Sequence, residues 1–442
     1  MDEAKLRYYY NRCDPAEPLD PDDERRVPLN RFGAGNVYIR GADWTARLSR
    51  KFLLPERPTC ILFTGLRGSG KTTELRALAQ ALDSHDGGAI LPVLLSAEDG
   101  VELTAPIDIP EIMFTIIEGL ERKVLELEGK ASDEALDRSV VGRLWDWLGQ
   151  TDVSMPRLEM GAGGPKVGIE LKTRPTLRQQ VRVAVEQRLS TFLQEVRYHI
   201  KALEERVKAA QPRYRRVVVI LDSLEKLQGT SSNWREVMES AEKLFAGGAP
   251  YLQLGVHVLY TVPPALLFRL GGTVEFLPMI KVRDRGGAPF EPGVGAARSL
   301  VQHRIDVTDL AAILGDDWGD RLDRIIAWSG GYPRDLVRVL HALLESEQFP
   351  VPDAELDRAL FQLGDEYRRI VFREEAEWLR RLGDEKQLRI LDGNHREAVD
   401  FMLQNNVILR YVNSEEWYDL HPALGDLSTH LTKEAIDQDV RP

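Results

Sequence analysis

The chain has 442 residues, 43% of them hydrophobic and 29% charged, with a formal net charge of −12. That length accommodates two or three domains with ample core, and the composition is that of an ordinary soluble protein. The acidic balance argues against a broad nucleic-acid surface, and no apolar run approaches the ~18 residues of a membrane span. Residues 1–8 lack the apolar stretch of an export signal, and two cysteines, Cys13 and Cys60, are too few for a disulfide framework or a zinc site. A cytoplasmic location without membrane contact is the expectation.

In chain order, residues 1–35 are rich in Pro, Asp and Arg and read as an extended N-terminal arm. Asn36–Arg50 reads as a short entry helix. The apolar run Cys60–Thr64 then leads into Gly65-Leu66-Arg67-Gly68-Ser69-Gly70-Lys71-Thr72, a full G-x-x-x-x-G-K-[ST] phosphate loop, and Thr73 opens a helix-forming stretch to Leu82. Buried strand, glycine-rich turn and helix N-terminus are the context that gives this motif its meaning. Glycines let successive backbone N–H groups point at a phosphate, and the helix dipole adds attraction for the anion. Lys71 supplies a point charge to the β- and γ-phosphates, and the Thr72 hydroxyl supplies a ligand to Mg²⁺. Gly65 to Thr73 are therefore the expected nucleotide-binding residues.

Gly88–Leu95 is a second strand, and Pro106–Glu128 contains an amphipathic helix. Residues 130–175 break the pattern, and the glycine-rich stretch Glu159–Lys172 suggests a β-hairpin insertion. A long helix is expected from about Leu177 to Ala209. Its stripe of Leu189, Leu193, Val196, Ile200, Leu203 and Val207 fits either a helix lying on its own domain or a short coiled coil between copies of the chain. Three further strands follow, Arg216–Asp222, Leu254–Thr261 and Glu275–Val282. Short apolar strands alternating with helices predict a parallel sheet covered on both faces. From Val307 to about residue 403 the pattern is helical, and Val407–Val412 with Trp417–Leu420 forms a closing hairpin around a turn at 413–416.

Four more residues are candidates for the site. Asp222 ends a strand of the apolar-run-plus-carboxylate kind, is expected beside the phosphate loop, and would orient Mg²⁺. Glu225, in Ser223-Leu224-Glu225-Lys226, is the nearest carboxylate to activate a water, with a solvated helix-cap charge as the alternative. Thr261 ends the next strand, where a polar residue would sense the γ-phosphate or simply bond local backbone. Arg334, in Gly330-Gly331-Tyr332-Pro333-Arg334, stands on the first turn of a helix and would reach the phosphates from a lid, or else pair with a neighbour. Arg283, Arg285 and Arg304 are weaker candidates for an arginine acting on a second copy.

Together these residues resemble the AAA+/STAND branch of P-loop ATPases with an origin-recognition-like core. The resemblance rests on Gly65–Thr72, the strand ending in Asp222, Thr261 and the Gly-Gly-Tyr-Pro-Arg334 segment. It implies an α/β fold: a P-loop NTPase parallel sheet covered by helices, followed by an α-helical lid and a winged-helix domain. The boundaries are an arm at 1–35, an ATPase core at 36–306 with an insertion at about 130–210, a lid at 307–350, a winged helix at 351–430 and a tail at 431–442. No Glu follows Asp222 directly, and Thr stands where many such ATPases carry Asn, so the turnover implied is slow.

The function implied is an ATP- and Mg²⁺-binding switch whose lid and winged helix pass the nucleotide state to a protein effector or regulator, as in bacterial defence or regulatory systems. The chain shows no effector motif of its own. An alternative is a DNA-linked AAA+ ATPase of the initiator or transposition-regulator type. Against it, residues 351–442 carry 12 Lys+Arg and 20 Asp+Glu, a net of −8. A third reading is a nucleotide-binding scaffold with little turnover.

Overall fold

The computed structural model describes residues 1–130, 140–149, 167–246, 250–271, 273–371, 373–390, 393–412 and 415–425. The first elements in chain order are α1 (Glu3–Arg12), β1 (Arg31–Phe32), β2 (Val37–Tyr38), α2 (Trp44–Leu53), β3 (Cys60–Gly65), α3 (Lys71–Asp83) and β4 (Ala89–Ser96). There follow α4 (Ile109–Leu127), α5 (Val140–Gly149), α6 (Val167–Thr173), α7 (Pro175–Glu186), α8 (Leu189–Ala210), β5 (Tyr214–Asp222), α9 (Trp234–Phe245), β6 (His257–Thr261) and β7 (Val274–Leu277). The last third holds α10 (Glu291–Gln302), α11 (Val307–Leu314), α12 (Trp318–Ser329), α13 (Pro333–Leu343), α14 (Asp353–Arg368), α15 (Arg373–Glu385), α16 (Gly393–Gln404), β8 (Ile408–Val412) and β9 (Glu416–Leu420). Contacts divide the chain into two units. One comprises Met1–Trp44, Gly65–Thr73 and Leu277–Pro442, the other Thr45–Thr64 and Glu74–Phe276.

The five main strands form one sheet in the order β4-β5-β6-β3-β7, and β4, β5, β6 and β3 run parallel. In β5 every residue from Val217 to Asp222 is buried, as a strand covered on both faces requires. Strand β6 stands between β5, which ends in Asp222, and β3, which leads into the phosphate loop. Parallel pairing still brings the carboxyl ends of β3, β6 and β5 to one edge of the sheet. The expected strand at Glu275–Val282 is shorter, since Pro278 cannot donate to a ladder.

The insertion is helical. Val167–Thr173 is α6, which corrects the hairpin expected over Glu159–Lys172; residues 159–166 lie outside those described. The alternation of Val167, Ile169 and Leu171 resembles a strand, but Val167 and Leu171 stand four apart and are both buried, so one helical face decides the outcome. The long helix of Leu177–Ala209 is also corrected. It is two helices, α7 and α8, broken at Gln187–Arg188. The stripe on α8 is buried in its own unit with Phe114, Ile116 and Trp145, which favours the intramolecular packing over a coiled coil.

Two carboxylates of α4 organise this bundle. Glu121 accepts from Val140 N (2.7 Å) and Val141 N (3.2 Å), and Glu118 accepts from Gly168 N (3.2 Å), so each meets the donor-rich N-terminus of another helix.

The unit that contains Met1–Trp44 and Leu277–Pro442 has its own core. Tyr9 and Cys13 join Val301, Ile305, Leu310 and Ile313 there, so the arm at 1–35 is not simply extended: α1 docks on the lid. Asp2 caps α1 by accepting from Lys5 N at 2.8 Å, and the Tyr9 hydroxyl donates to Asp306 and Asp309. The expected entry helix begins late, at Trp44, after the short β1–β2 ladder. Helices α10 to α13 share one hydrophobic cluster. The winged-helix pattern is as expected: α14, α15, α16, then an antiparallel β8–β9 hairpin pairing Ile408 with Leu420 and Val412 with Glu416. Tyr411 stacks on Trp417 across it, with centroids 4.3 Å apart. Asn413 and Ser414 of the expected turn, and the tail, lie outside the described residues. Among those described, no helix is long and apolar enough to cross a membrane.

Burial pushes the Glu118 carboxyl up to about 7, against the opposing pull of the Gly168 and Val167 N–H groups. A raised folded-state value means that this group stabilises the fold at acid pH and loses that contribution as pH rises through about 7. We expect Glu118→Gln to remove this component. The melting-temperature difference between wild type and variant should favour wild type at pH 5 and the variant at pH 8, read by calorimetry.

Candidate functional site

The phosphate loop is built from strand β3, whose residues Ile61–Gly65 are buried, and the start of α3. Gly68 (φ +81°) and Gly70 (φ +90°) take the left-handed backbone that only glycine adopts freely. Lys71 is 3% exposed, and its Nζ donates to the Gly65 and Leu66 carbonyls at 2.9 and 3.0 Å, closing the loop on itself. Ser69 N donates to Leu66 O at 3.1 Å, and the Ser69 hydroxyl is fully buried without a partner. A buried, unpaired hydroxyl beside a glycine-shaped concavity and a buried ammonium is a donor set that fits a phosphate. Thr72 is half-buried at the head of α3, while the Thr73 hydroxyl accepts from Leu19 N at 3.2 Å, so part of its capacity is spent on the N-terminal segment.

Three side chains grip the loop's carbonyls, and sequence reasoning assigned none of them a role. Arg40, 1% exposed, donates through Nη2 to Ser69 O at 2.8 Å, and its own carbonyl is held by Trp44 Nε1 at 3.0 Å. The Tyr332 hydroxyl donates to Arg67 O, and Asn406 Nδ2 reaches the same carbonyl (3.4 Å) and the Tyr332 oxygen (3.0 Å). Burial and the nearby Asp335 charge hold the Tyr332 hydroxyl's pKa well above the ordinary range, so it remains a donor. Tyr332 sits inside the quoted Gly-Gly-Tyr-Pro-Arg segment and was legible as part of a motif. Arg40 and Asn406 belong to no motif and carry no local signal.

Arg334 lies beside Gly68. A Cβ placed on Gly68 would lie 2.7 Å from both Cβ and Nε of Arg334, and 2.7 Å from the Tyr332 hydroxyl. The half-buried side chain lies against the loop, at the first turn of α13 behind Pro333. The neighbouring Asp335 is buried and engaged by Tyr367 Oη at 2.7 Å and His421 Nε2 at 3.3 Å, with Arg338 at 3.2 Å. Burial alone would push the Asp335 carboxyl up; the His421, Tyr367 and Arg338 contacts outweigh it and hold it low. Asp335 thus pairs with Arg338, not Arg334, and ties α13 to α14 and the winged-helix hairpin's exit.

In the other unit, Asp222 and Glu225 are each 4% exposed, which corrects the solvated-cap reading of Glu225. The chain curls after β5 because Ser223 takes a left-handed conformation (φ +73°), followed by a single 3₁₀ turn over Leu224–Lys226. A non-glycine residue there is strained and marks a position held by its surroundings. What holds it is Thr261. Its hydroxyl accepts from Leu224 N at 3.0 Å and reaches Leu221 O at 3.4 Å. The side chain expected to sense a γ-phosphate therefore bonds local backbone, positioning the Asp222–Glu225 turn.

Of the weaker candidates, Arg283 is ion-paired with Asp419 at 2.7 Å, and Arg304 is buried, bonding Leu300 O at 3.0 Å, so neither presents itself to a second copy. Arg285 is exposed and donates to Glu385 O at 3.1 Å. Among the described residues there is no cluster of three or more His, Cys, Asp or Glu of metal-binding form.

No protein-family profile matches this chain, and no curated protein does. Among solved structures, the Aeropyrum pernix ORC2 protein, described as ADPNP-ADP complexes, is similar at 11% identity and a TM-score of 0.36, over 89% of this chain and 93% of that one. A likeness of that size carries no functional argument. The fold class is set by the sheet itself: an α/β P-loop core followed by a helical lid and a winged helix.

Gly68 is the sharpest steric requirement in the loop. We expect Gly68→Ala to weaken ATP binding by about tenfold or more, ~1.4 kcal/mol, in isothermal titration. Gly319→Ala, where an added Cβ meets nothing within 4 Å, should bind as wild type does.

Proposed function

We propose that the chain binds ATP with Mg²⁺ at Gly65–Thr73, hydrolyses it slowly, and uses the nucleotide state to change how its lid and winged helix engage a partner protein. The observation that supports this most is the placement of Arg334 and Tyr332 directly on Gly68 and Arg67, because it couples the phosphate loop to α13 without intermediaries. Lys71 leaves the Gly65 and Leu66 carbonyls for the β- and γ-phosphates, and Arg334 adds a second cation from the lid. Thr72 and Asp222 are the residues we assign to Mg²⁺, which neutralises phosphate charge when bound. Glu225 is assigned as the group orienting the attacking water, on the strength of its burial and the curled Ser223 turn. Assignment to a defence system gains nothing from the fold or the comparisons and is not part of the proposal.

Lys71→Ala should abolish ATP binding in titration, whereas Glu225→Gln should retain it and lose most turnover, on the order of 100-fold or more. Full turnover in Glu225→Gln would reject Glu225 as the base, and wild type that binds but never hydrolyses would favour the scaffold reading.

The second reading is a DNA-linked ATPase of the initiator or transposition-regulator type. Its support is the order of α16 and the β8–β9 hairpin, the helix-then-wing arrangement that can enter a major groove. Charge opposes it: residues 351–442 sum to −8, and Glu416 pairs with Arg410 on the wing. We expect no duplex-DNA binding by fluorescence anisotropy even at 50 mM salt, where a basic reader would bind most tightly. Micromolar binding that weakens steeply with salt would make the second reading the better one.

A further inference from the structure

We propose that Asn406 is a positioning residue of the phosphate loop, acting through the Tyr332 hydroxyl on the Arg67 carbonyl; the inference rests on the ATP reading and names how the winged helix regulates that site. Asn406 lies between α16 and β8 in a left-handed conformation (φ +59°), 9% exposed. Val407 N donates to Met402 O at 2.9 Å around it, the usual way a helix ends on a left-handed residue. Stopping α16 accounts for the backbone of Asn406, and glycine would serve equally well there.

The side chain needs another account. Its Nδ2 donates to Tyr332 Oη at 3.0 Å, and Tyr332 passes its own proton to Arg67 O. The result is an oriented chain, amide to phenol to loop carbonyl, in which each bond polarises the next. The Asn406 Oδ1 is buried with no partner, so the amide is held in place for its donor alone. Tyr332 is meanwhile anchored by its turn. Tyr411 Oη donates to Gly330 O at 2.5 Å, and Ile280 N to Gly331 O at 3.2 Å. The winged helix therefore touches the lid turn at Gly330 and Tyr332, and Arg67 lies one residue before the glycine that packs on Arg334. Moving α16 and β8 away removes the Asn406 donor and the Tyr411 hold on the Tyr332 turn, and loosens the loop that the nucleotide must find already shaped.

Asn406→Gly retains the left-handed backbone and deletes the amide; Tyr332→Phe deletes only the hydroxyl. Each should weaken binding of ATP and of ADP about fivefold, as expected for one lost hydrogen bond. The double variant should be no weaker than the worse single, because both act through one carbonyl. Tyr10→Phe, which removes an exposed hydroxyl bonded to Glu345, should leave binding unchanged. In nucleotide-free full-length protein, hydrogen exchange of the Arg67, Gly68 and Ser69 amides should quicken in both single variants. If wild type binds ATP but Asn406→Gly keeps wild-type affinity and exchange, the amide is only a helix stop and the proposal is overturned. If wild type and Lys71→Ala alike ignore ATP while the exchange still quickens, the ATP reading fails and the positioning link stands. Additive losses in the double variant would also overturn it.

Discussion

At the turn Gly330-Gly331-Tyr332 the lid, the phosphate loop and the winged-helix hairpin are tied together by hydrogen bonds. Both glycines sit at positive φ, and a Cβ on Gly331 would lie 1.9 Å from the Ile280 carbonyl. That closeness lets three elements meet at one point. Ile280 N and Tyr411 Oη donate to the turn, and Tyr332 donates to the phosphate loop. Any side chain in place of either glycine would separate them. The loop's shape, the lid's first turn and the winged helix are therefore not independently adjustable, and a ligand that reshapes the loop must act on all three.

The other unit applies a similar economy to a different end. Its strands are buried, so the polar end of β5 has to be stabilised locally. Thr261 does this from the neighbouring strand, holding the strained Ser223 turn that sets Asp222 and Glu225 at the sheet's carboxyl edge. The insertion satisfies its helix ends in the same spirit, through Glu121 and Glu118 against the N-termini of α5 and α6. These carboxylates act as capping groups for the two helices.

Much of the fold was legible because its signals are local. The phosphate loop, the Val217–Asp222 run, the Pro333 helix start and the closing hairpin each declare themselves within ten residues. The errors fall where local signals conflict or are silent. Val167–Lys172 alternates like a strand but buries one helical face; the arm at 1–35 looks extended by composition, yet Tyr9 and Cys13 find a core roughly 300 residues away in sequence. Of the candidate site, Gly65–Thr73 and Arg334 were proposed from motifs and Glu225 from its nearness to Asp222 in sequence. Arg40 and Asn406 were not readable, since an isolated Arg and an Asn after a helix look the same whether or not a carbonyl lies within reach.

The sequence by itself determined that a glycine-rich loop joins a buried strand to a helix, that apolar runs alternate with helices, and that the C-terminal third is acidic. Those follow from residue type and spacing, which act over one or two turns of chain. Only the tertiary structure decided that β6 stands between β3 and β5, that the Thr261 hydroxyl bonds the Leu224 turn, and that Tyr332, Asn406 and Arg40 hold the loop's carbonyls. A hydrogen bond needs its partners within about 3 Å. Only the packed fold brings residues some 265 and 339 positions apart that close.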